Sequence, residues 1–96
     1  MKELLSHLDK AFENRVRLGI MAVLVVNDSV DFNTLKELLG ATDGNLATHL
    51  KSLEKKKYVS YVKKFVKRKP QTSYSATHKG RTAFTKHIET IERLLS

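Results

Sequence analysis

At 96 residues and 41% hydrophobic content, the chain is too apolar for disorder to be the default, suits one domain with one modest core, and leaves little room for a separate ligand-binding domain. It has no cysteine, which excludes disulfides and thiolate metal sites. Its longest apolar stretch, Ile20 to Val26, has the length of a core helix segment and not of a membrane span.

The N-terminus, Met1-Lys2-Glu3-Leu4, carries an early acid and lacks the apolar region and cleavage site of a signal peptide, so a cytoplasmic location is expected. The net charge of +8 is unevenly placed. Residues 41–81 carry eleven basic and two acidic side chains, residues 1–40 five and six, and residues 82–96 two of each. A basic block this concentrated is the electrostatic footprint of a polyanion partner.

In the N-terminal third, Leu5, Leu8, Phe12, Val16, Ile20 and Val23 recur at three- and four-residue spacing and define one helical face. Asn14 and Gly19 weaken the run, so it is expected to break near Asn14 into Lys2–Phe12 and Arg15–Val26. Asn27-Asp28-Ser29 is a loop by composition, and Val30-Asp31-Phe32 suits a very short strand. Asn33 is the expected N-cap of a helix Thr34–Leu39, which presents Leu35, Leu38 and Leu39 to a core and is stopped by Gly40.

After the turn Ala41-Thr42-Asp43-Gly44, Thr42 or Asp43 can cap a third helix that runs to about Lys57. Leu46, Leu50 and Leu53 give it a narrow apolar stripe, while Asn45, Thr48, His49, Lys51, Ser52 and Lys55 occupy its other faces. From Tyr58 to Val66 the chain is β-branched and aromatic, hence strand-like. Lys67-Arg68-Lys69-Pro70-Gln71 is a charged turn without glycine, and Thr72 to Thr77 is a second short strand. A last helix from about His78 to Leu95 has Thr77 as its N-cap, an unfavourable Gly80 in its first turn, and a broad apolar face.

Helix, helix, turn, helix, hairpin, helix is the order of an α+β, mostly α, winged helix-turn-helix: one domain over 1–96, with the helix-turn-helix at about 33–57, the wing at about 58–77, and terminal helices at 2–26 and 78–95. In a helix-turn-helix the second helix enters the major groove. It must bury one stripe and leave the opposite face polar. Asn can pair bidentately with adenine, Thr can meet polar edges or the thymine methyl, and His can donate or accept according to tautomer. Asn45, Thr48 and His49 are therefore the expected base contacts. Thr42, Gly44, Ser52, Lys55, Lys67, Arg68, Lys69 and Thr72 are the expected contacts to the DNA backbone.

The segment Thr42-Asp43-Gly44-Asn45-Leu46-Ala47-Thr48-His49-Leu50-Lys51-Ser52-Leu53-Glu54 resembles the recognition helix of winged-helix transcriptional regulators related to the MarR and ArsR groups. Phe65 to Thr72 resembles the wing of a small single-domain subgroup. Tyr74-Ser75-Ala76-Thr77-His78-Lys79-Gly80-Arg81 is similar to the Tyr-x-Leu-Thr-x-x-Gly segment that opens the final helix. The resemblance spans roughly Arg15 to Phe84. It implies base contact by Asn45, Thr48 and His49, wing contact by Arg68 and Lys69, and dimerisation through the terminal helices. Two positions depart from the pattern: Lys57 stands where many members have glycine, and Ala76 replaces leucine.

Leu4, Leu5, Leu8, Ile88, Ile91, Leu94 and Leu95 are more apolar side chains than so small a core needs. They are the expected interface of a homodimer that would set two recognition helices one turn apart on a pseudo-palindromic duplex. The competing arrangement packs the first helix on the last within one chain. His7, His49, His78 and His87 are scattered, so no metal ligand set is expected. No glycine-rich phosphate loop, nucleophile elbow or zinc-protease motif occurs, and neither an enzyme nor a cofactor is expected. The alternative function is a winged-helix protein-interaction or RNA-binding module, the latter needing Tyr58, Tyr61 and Tyr74 to face outward for stacking.

Overall fold

The computed structural model describes all 96 residues, Met1–Ser96. In chain order it comprises α1 (Lys2–Leu5), a 3₁₀ turn (Lys10–Phe12), α2 (Arg15–Leu24), β1 (Val30–Asp31), α3 (Phe32–Leu39), α4 (Asp43–Lys55), β2 (Val59–Val66), β3 (Lys69–Ala76) and α5 (His78–Leu94). The three strands form one antiparallel sheet in the order β1-β3-β2. The architecture is the expected α+β, mostly helical arrangement of a helix-turn-helix, a hairpin wing and a closing helix.

Capping groups set the helix boundaries, and several differ from expectation. The run from Lys2 to Phe12 is not one helix. Asp9 is extended (φ −99, ψ 119), its side chain accepts from the Ala11 N–H, and the chain divides into α1, a bend and the 3₁₀ turn. Asn14 caps α2, its Oδ1 accepting from the N–H groups of Val16 and Arg17 at 2.9 and 3.1 Å. α2 ends at Leu24 and not Val26; beyond its end, Arg81 from α5 donates to the Val25 carbonyl at 2.9 Å.

The cap of α3 is Asp31, not Asn33. Asp31 accepts from the Thr34 N–H at 3.1 Å and from the Thr34 hydroxyl at 2.7 Å, and these bonds, the hydroxyl first, hold its carboxyl below the usual range. The helix starts two residues early because Val30 and Asp31 pair with Tyr74 and Ser73 of β3. That pairing lies more than forty positions away, beyond the reach of local composition.

Gly40 ends α3 in the left-handed conformation at φ 60, which glycine adopts without steric cost. Thr42 caps α4 by accepting from the Asn45 N–H at 3.2 Å. α4 stops at Lys55, short of the expected Lys57, and Lys57 itself takes the left-handed backbone at φ 63. The departure from glycine at this position is thus a strained turn.

Leu46, Leu50 and Leu53 of α4 are completely buried with Ile20, Met21 and Leu24 of α2 and Leu35 of α3. Removing each leucine from water contributes about 1.5–3 kcal/mol, which anchors α4 by a single stripe. A second cluster lies under the base of the wing. The Phe12 ring stacks on Tyr58 at 5.5 Å and meets Phe84 and His87 edge-on, each at 5.3 Å. The Tyr58 hydroxyl donates to Asp9 Oδ2 at 2.6 Å, and the Asp9 N–H donates to His87 Nδ1 at 3.0 Å. Burial, reinforced by the Asp9 carboxylate, pushes the Tyr58 phenol up to about 12.

This packing explains Gly80. A Cβ at that position would lie 2.1 Å from the Tyr58 carbonyl oxygen, while Thr77 caps the turn by accepting from the Gly80 N–H at 2.9 Å. Gly80→Ala should therefore destabilise the protein by about 1–3 kcal/mol or more, despite the ~1 kcal/mol alanine gains in an unhindered helix. Urea denaturation checks this, and a variant as stable as the parent would refute the close approach.

Candidate nucleic-acid interface

Successive residues of a helix turn by roughly 100°. With Leu46, Leu50 and Leu53 facing the core, Thr48 and Lys55 lie on the opposite side of α4, Asn45 and Ser52 on one flank, and Ala47 and Lys51 on the flank toward the wing. Asn45, Thr48 and Lys55 are exposed, and Ser52 is half-buried. The Thr42 hydroxyl is engaged as the cap but keeps its own proton to donate. A Cβ at Gly44 would meet nothing within 4 Å, so no packing demand explains that glycine. Lys36 and Asp43 form the one salt bridge, at 2.8 Å across the turn, where exposure leaves it worth ~1 kcal/mol at most.

His49 stands apart from the other two expected base readers. It is half-buried at the edge of the leucine stripe, and its Nδ1 lies 3.1 Å from Nη1 of Arg17 on α2. Sequence reading missed Arg17. The two residues are 32 positions apart, and only tertiary packing brings them together.

The wing is sharper than its composition suggests. The β2–β3 register closes at Val66↔Lys69, so the connection is only Lys67-Arg68, at φ 51 and 66. Two positive φ values in a two-residue loop make a type I′ turn, whose twist matches that of the flanking strands. The five-residue turn 67–71 and the strand start at Thr72 are therefore corrected: Lys69, Pro70 and Gln71 are paired strand residues. Pro70 is tolerated because β1 reaches only Ser73 and Tyr74, which leaves β3 an open edge beside it.

Alternation along β2 places Tyr61, Lys63 and Phe65 on one face, opposite Tyr74, Thr72 and Pro70. This face turns toward α4 across a cleft lined by Ala47, Lys51, Glu54, Tyr61, Lys63, Thr72 and Tyr74. Lys51 and Lys63 thus join the cationic tip residues Lys67, Arg68 and Lys69, all exposed. The period-two pattern of β2 carried that signal. Phe65 is also missing from the expected set and is 77% exposed. Of the three tyrosines, Tyr74 is buried and Tyr58 is tied to Asp9, which leaves Tyr61 alone substantially exposed. The stacking platform that RNA recognition would need is not assembled from them.

At the other end of the molecule α1 packs on α5 within the chain. Leu4, Leu8, Ile88 and Leu94 are half-buried, while Leu5, Ile91 and Leu95 are exposed. No helix is long and apolar enough to cross a membrane.

Residues 16–95 match the model of a family described as winged helix DNA-binding domain. The chain is 42% identical over 85 residues to an uncharacterized protein of Methanocaldococcus jannaschii, a match that covers 88% of this chain and 92% of that one. Its structure is similar to that of a transcriptional regulator homologue from Pyrococcus horikoshii OT3, with TM-score 0.89, 28% identity, and coverage of 99% and 95% of the two chains. A MarR-family transcriptional regulator from Silicibacter pomeroyi shares the fold at TM-score 0.63 and 16% identity, over 100% of this chain and 69% of that one.

Side chains other than glycine in left-handed backbone cost roughly 1–2 kcal/mol each. Replacing the tip pair by the one this turn favours, Lys67→Asn with Arg68→Gly, should therefore raise stability by about 1 kcal/mol. Thermal and urea unfolding measure it. A loss of stability would count against the type I′ geometry.

Proposed function

Because the chain belongs to the winged helix DNA-binding domain family, we propose that it is a cytoplasmic transcriptional regulator that binds double-stranded DNA in a sequence-specific manner. One observation carries the reading. α4 is anchored by a single leucine stripe and is polar on its opposite face, and the cleft between it and the cationic wing is lined by Lys51 and Lys63.

In this reading α4 enters the major groove, about 12 Å wide, and Asn45, Thr48 and His49 read base edges. Thr42, Gly44, Ser52 and Lys55 meet phosphates at the rim. Gly44 fits that role because it leaves the first turn of the helix open to close approach by a phosphate. Lys67, Arg68, Lys69 and Thr72 engage the flanking backbone or minor groove. The left-handed turn that costs stability holds two cations at the point of the wing.

Dimerisation is the second part of the proposal. The line Phe84, Ile88, Ile91, Leu95 is one stripe of α5, and the chain's own core covers only its beginning: Phe84 is 8% exposed, Ile91 37% and Leu95 83%. A second copy that covers the end of this stripe, together with Leu5 of α1, would form a symmetric interface including Leu4, Leu8, Ile88 and Leu94. It would place two α4 helices about 34 Å apart, one turn of a pseudo-palindromic duplex.

Binding should weaken steeply with salt. A dimer neutralising about six to ten phosphates gives a log–log slope of about −5 to −9. On duplexes selected from a random pool, Arg68→Ala should weaken all sequences alike, whereas Asn45→Ala should relax discrimination at particular base pairs by about 1–3 kcal/mol. A uniform loss for Asn45→Ala would contradict base reading. Sedimentation should show a dimer, and Ile91→Glu with Leu95→Glu should yield a folded monomer that keeps half-site binding and loses the gain from the second half-site. A parent chain that sediments as a monomer at high concentration would remove the dimer from the proposal.

A further inference from the structure

We infer that Arg17 is a positioning residue that fixes His49 as a hydrogen-bond donor alone, so that His49 selects acceptor groups on the bound DNA. This rests on the reading of α4 given above and deepens it. Arg17 lies on α2 and has no place in the surface of α4 itself. Its guanidinium is spread over three partners: Nε donates to the Ala11 carbonyl at 2.7 Å, Nη2 reaches the Lys10 carbonyl at 3.5 Å, and Nη1 lies 3.1 Å from His49 Nδ1.

The chemistry of the pair leaves one assignment. Guanidinium has N–H donors only, accepts nothing and does not lose its proton in proteins. The Nδ1 of His49 must therefore present its lone pair, and the neutral ring carries its single proton on Nε2. A free histidine can donate or accept through either nitrogen; this one keeps a single polar group, an Nε2–H donor. The carbonyls that hold the guanidinium belong to the 3₁₀ turn, where Ala11 and Phe12 are each 2% exposed, so the fork is mounted on a packed support. The imidazole has no other hydrogen-bond partner in the chain.

In the major groove an N–H donor matches guanine N7 and O6, adenine N7 and thymine O4, and it is mismatched to the amino groups of cytosine and adenine. A phosphate oxygen offers the same acceptor chemistry at the groove edge. Arg17 thereby decides from its place on α2 what His49 can recognise.

The direct test is a long-range ¹H–¹⁵N correlation spectrum of the full-length parent protein at neutral to mildly alkaline pH. It should show His49 with Nε2 protonated and Nδ1 not. The opposite tautomer, or a ring averaging between the two, overturns the inference. The second test is a cycle of Arg17→Met, His49→Ala and the double variant, by fluorescence anisotropy on the selected duplex and on single-base variants of it. Each single change should weaken binding about three- to tenfold, and the double variant no more than the larger single loss. A loss confined to one base pair identifies a base acceptor, and a uniform loss a phosphate oxygen.

Multiplying losses would show Arg17 acting only as a clamp on the turn, and the inference would fall. Arg17→Lys, which keeps a donor-only cation, should preserve more of the parent base-pair profile than Arg17→Met and guards against a folding defect in the latter. A parent protein that binds no duplex would defeat the DNA reading, and the tautomer spectrum would still decide the role of Arg17.

Discussion

The bend from Asp9 to Phe12 is the joint on which the outward-facing parts of the protein depend. Phe12 is enclosed by the rings of Tyr58, Phe84 and His87, which belong to the base of the wing and to the closing helix. Asp9 adds hydrogen bonds to the same two places, and the carbonyls of Lys10 and Ala11 hold Arg17. With no disulfide and only 96 residues, the chain cannot stiffen its periphery by enlarging a core. It does so by concentrating aromatic contacts and buried-edge hydrogen bonds at one turn. Gly80 is a consequence: α5 can approach the strand base this closely only where no Cβ intervenes.

Stability and presentation pull in opposite directions at the wing. Three residues other than glycine have positive φ, namely Lys57, Lys67 and Arg68, and all three are cations. At roughly 1–2 kcal/mol each, that strain is comparable to the gain from burying one or two leucines. Glycine or asparagine would relieve it and would remove the charge from the places where the hairpin begins and turns. Strain of this kind persists where the surrounding structure over-determines the backbone. Here the antiparallel register from Val59↔Ala76 to Val66↔Lys69 supplies that constraint.

The basic block and the uncovered stripe of α5 fall on different elements, although the cationic wing also exposes Val62, Phe65 and Val66. The basic block runs through α4 and the hairpin, while the uncovered stripe ends at Leu95. In the proposed reading the basic block meets a polyanion and the α5 stripe a second copy, and the two demands use different residues. The link between them is short: α5 contacts the 3₁₀ turn through His87, and that turn contacts α4 through Arg17.

Much of this was legible in the residues themselves. The leucine stripe of α4, the stop at Gly40, the caps at Thr42 and Thr77, the break near Asn14 and the basic block each depend on groups within a few positions of one another. Helical period, capping and charge are local properties, so sequence alone determined the order of elements and the polar face of α4. Tertiary structure decided the rest. Asp31 displaced Asn33 as a cap because β1 found β3. The hairpin tightened to Lys67-Arg68 because strand twist selects the turn. Tyr58 and Tyr74 turned inward under packing, and His49 met Arg17. Outside the hairpin, the partners in those events stand 32 to 49 positions apart, and contacts at such separations exist only after the core has closed, since no local preference can encode the direction from which a distant side chain arrives.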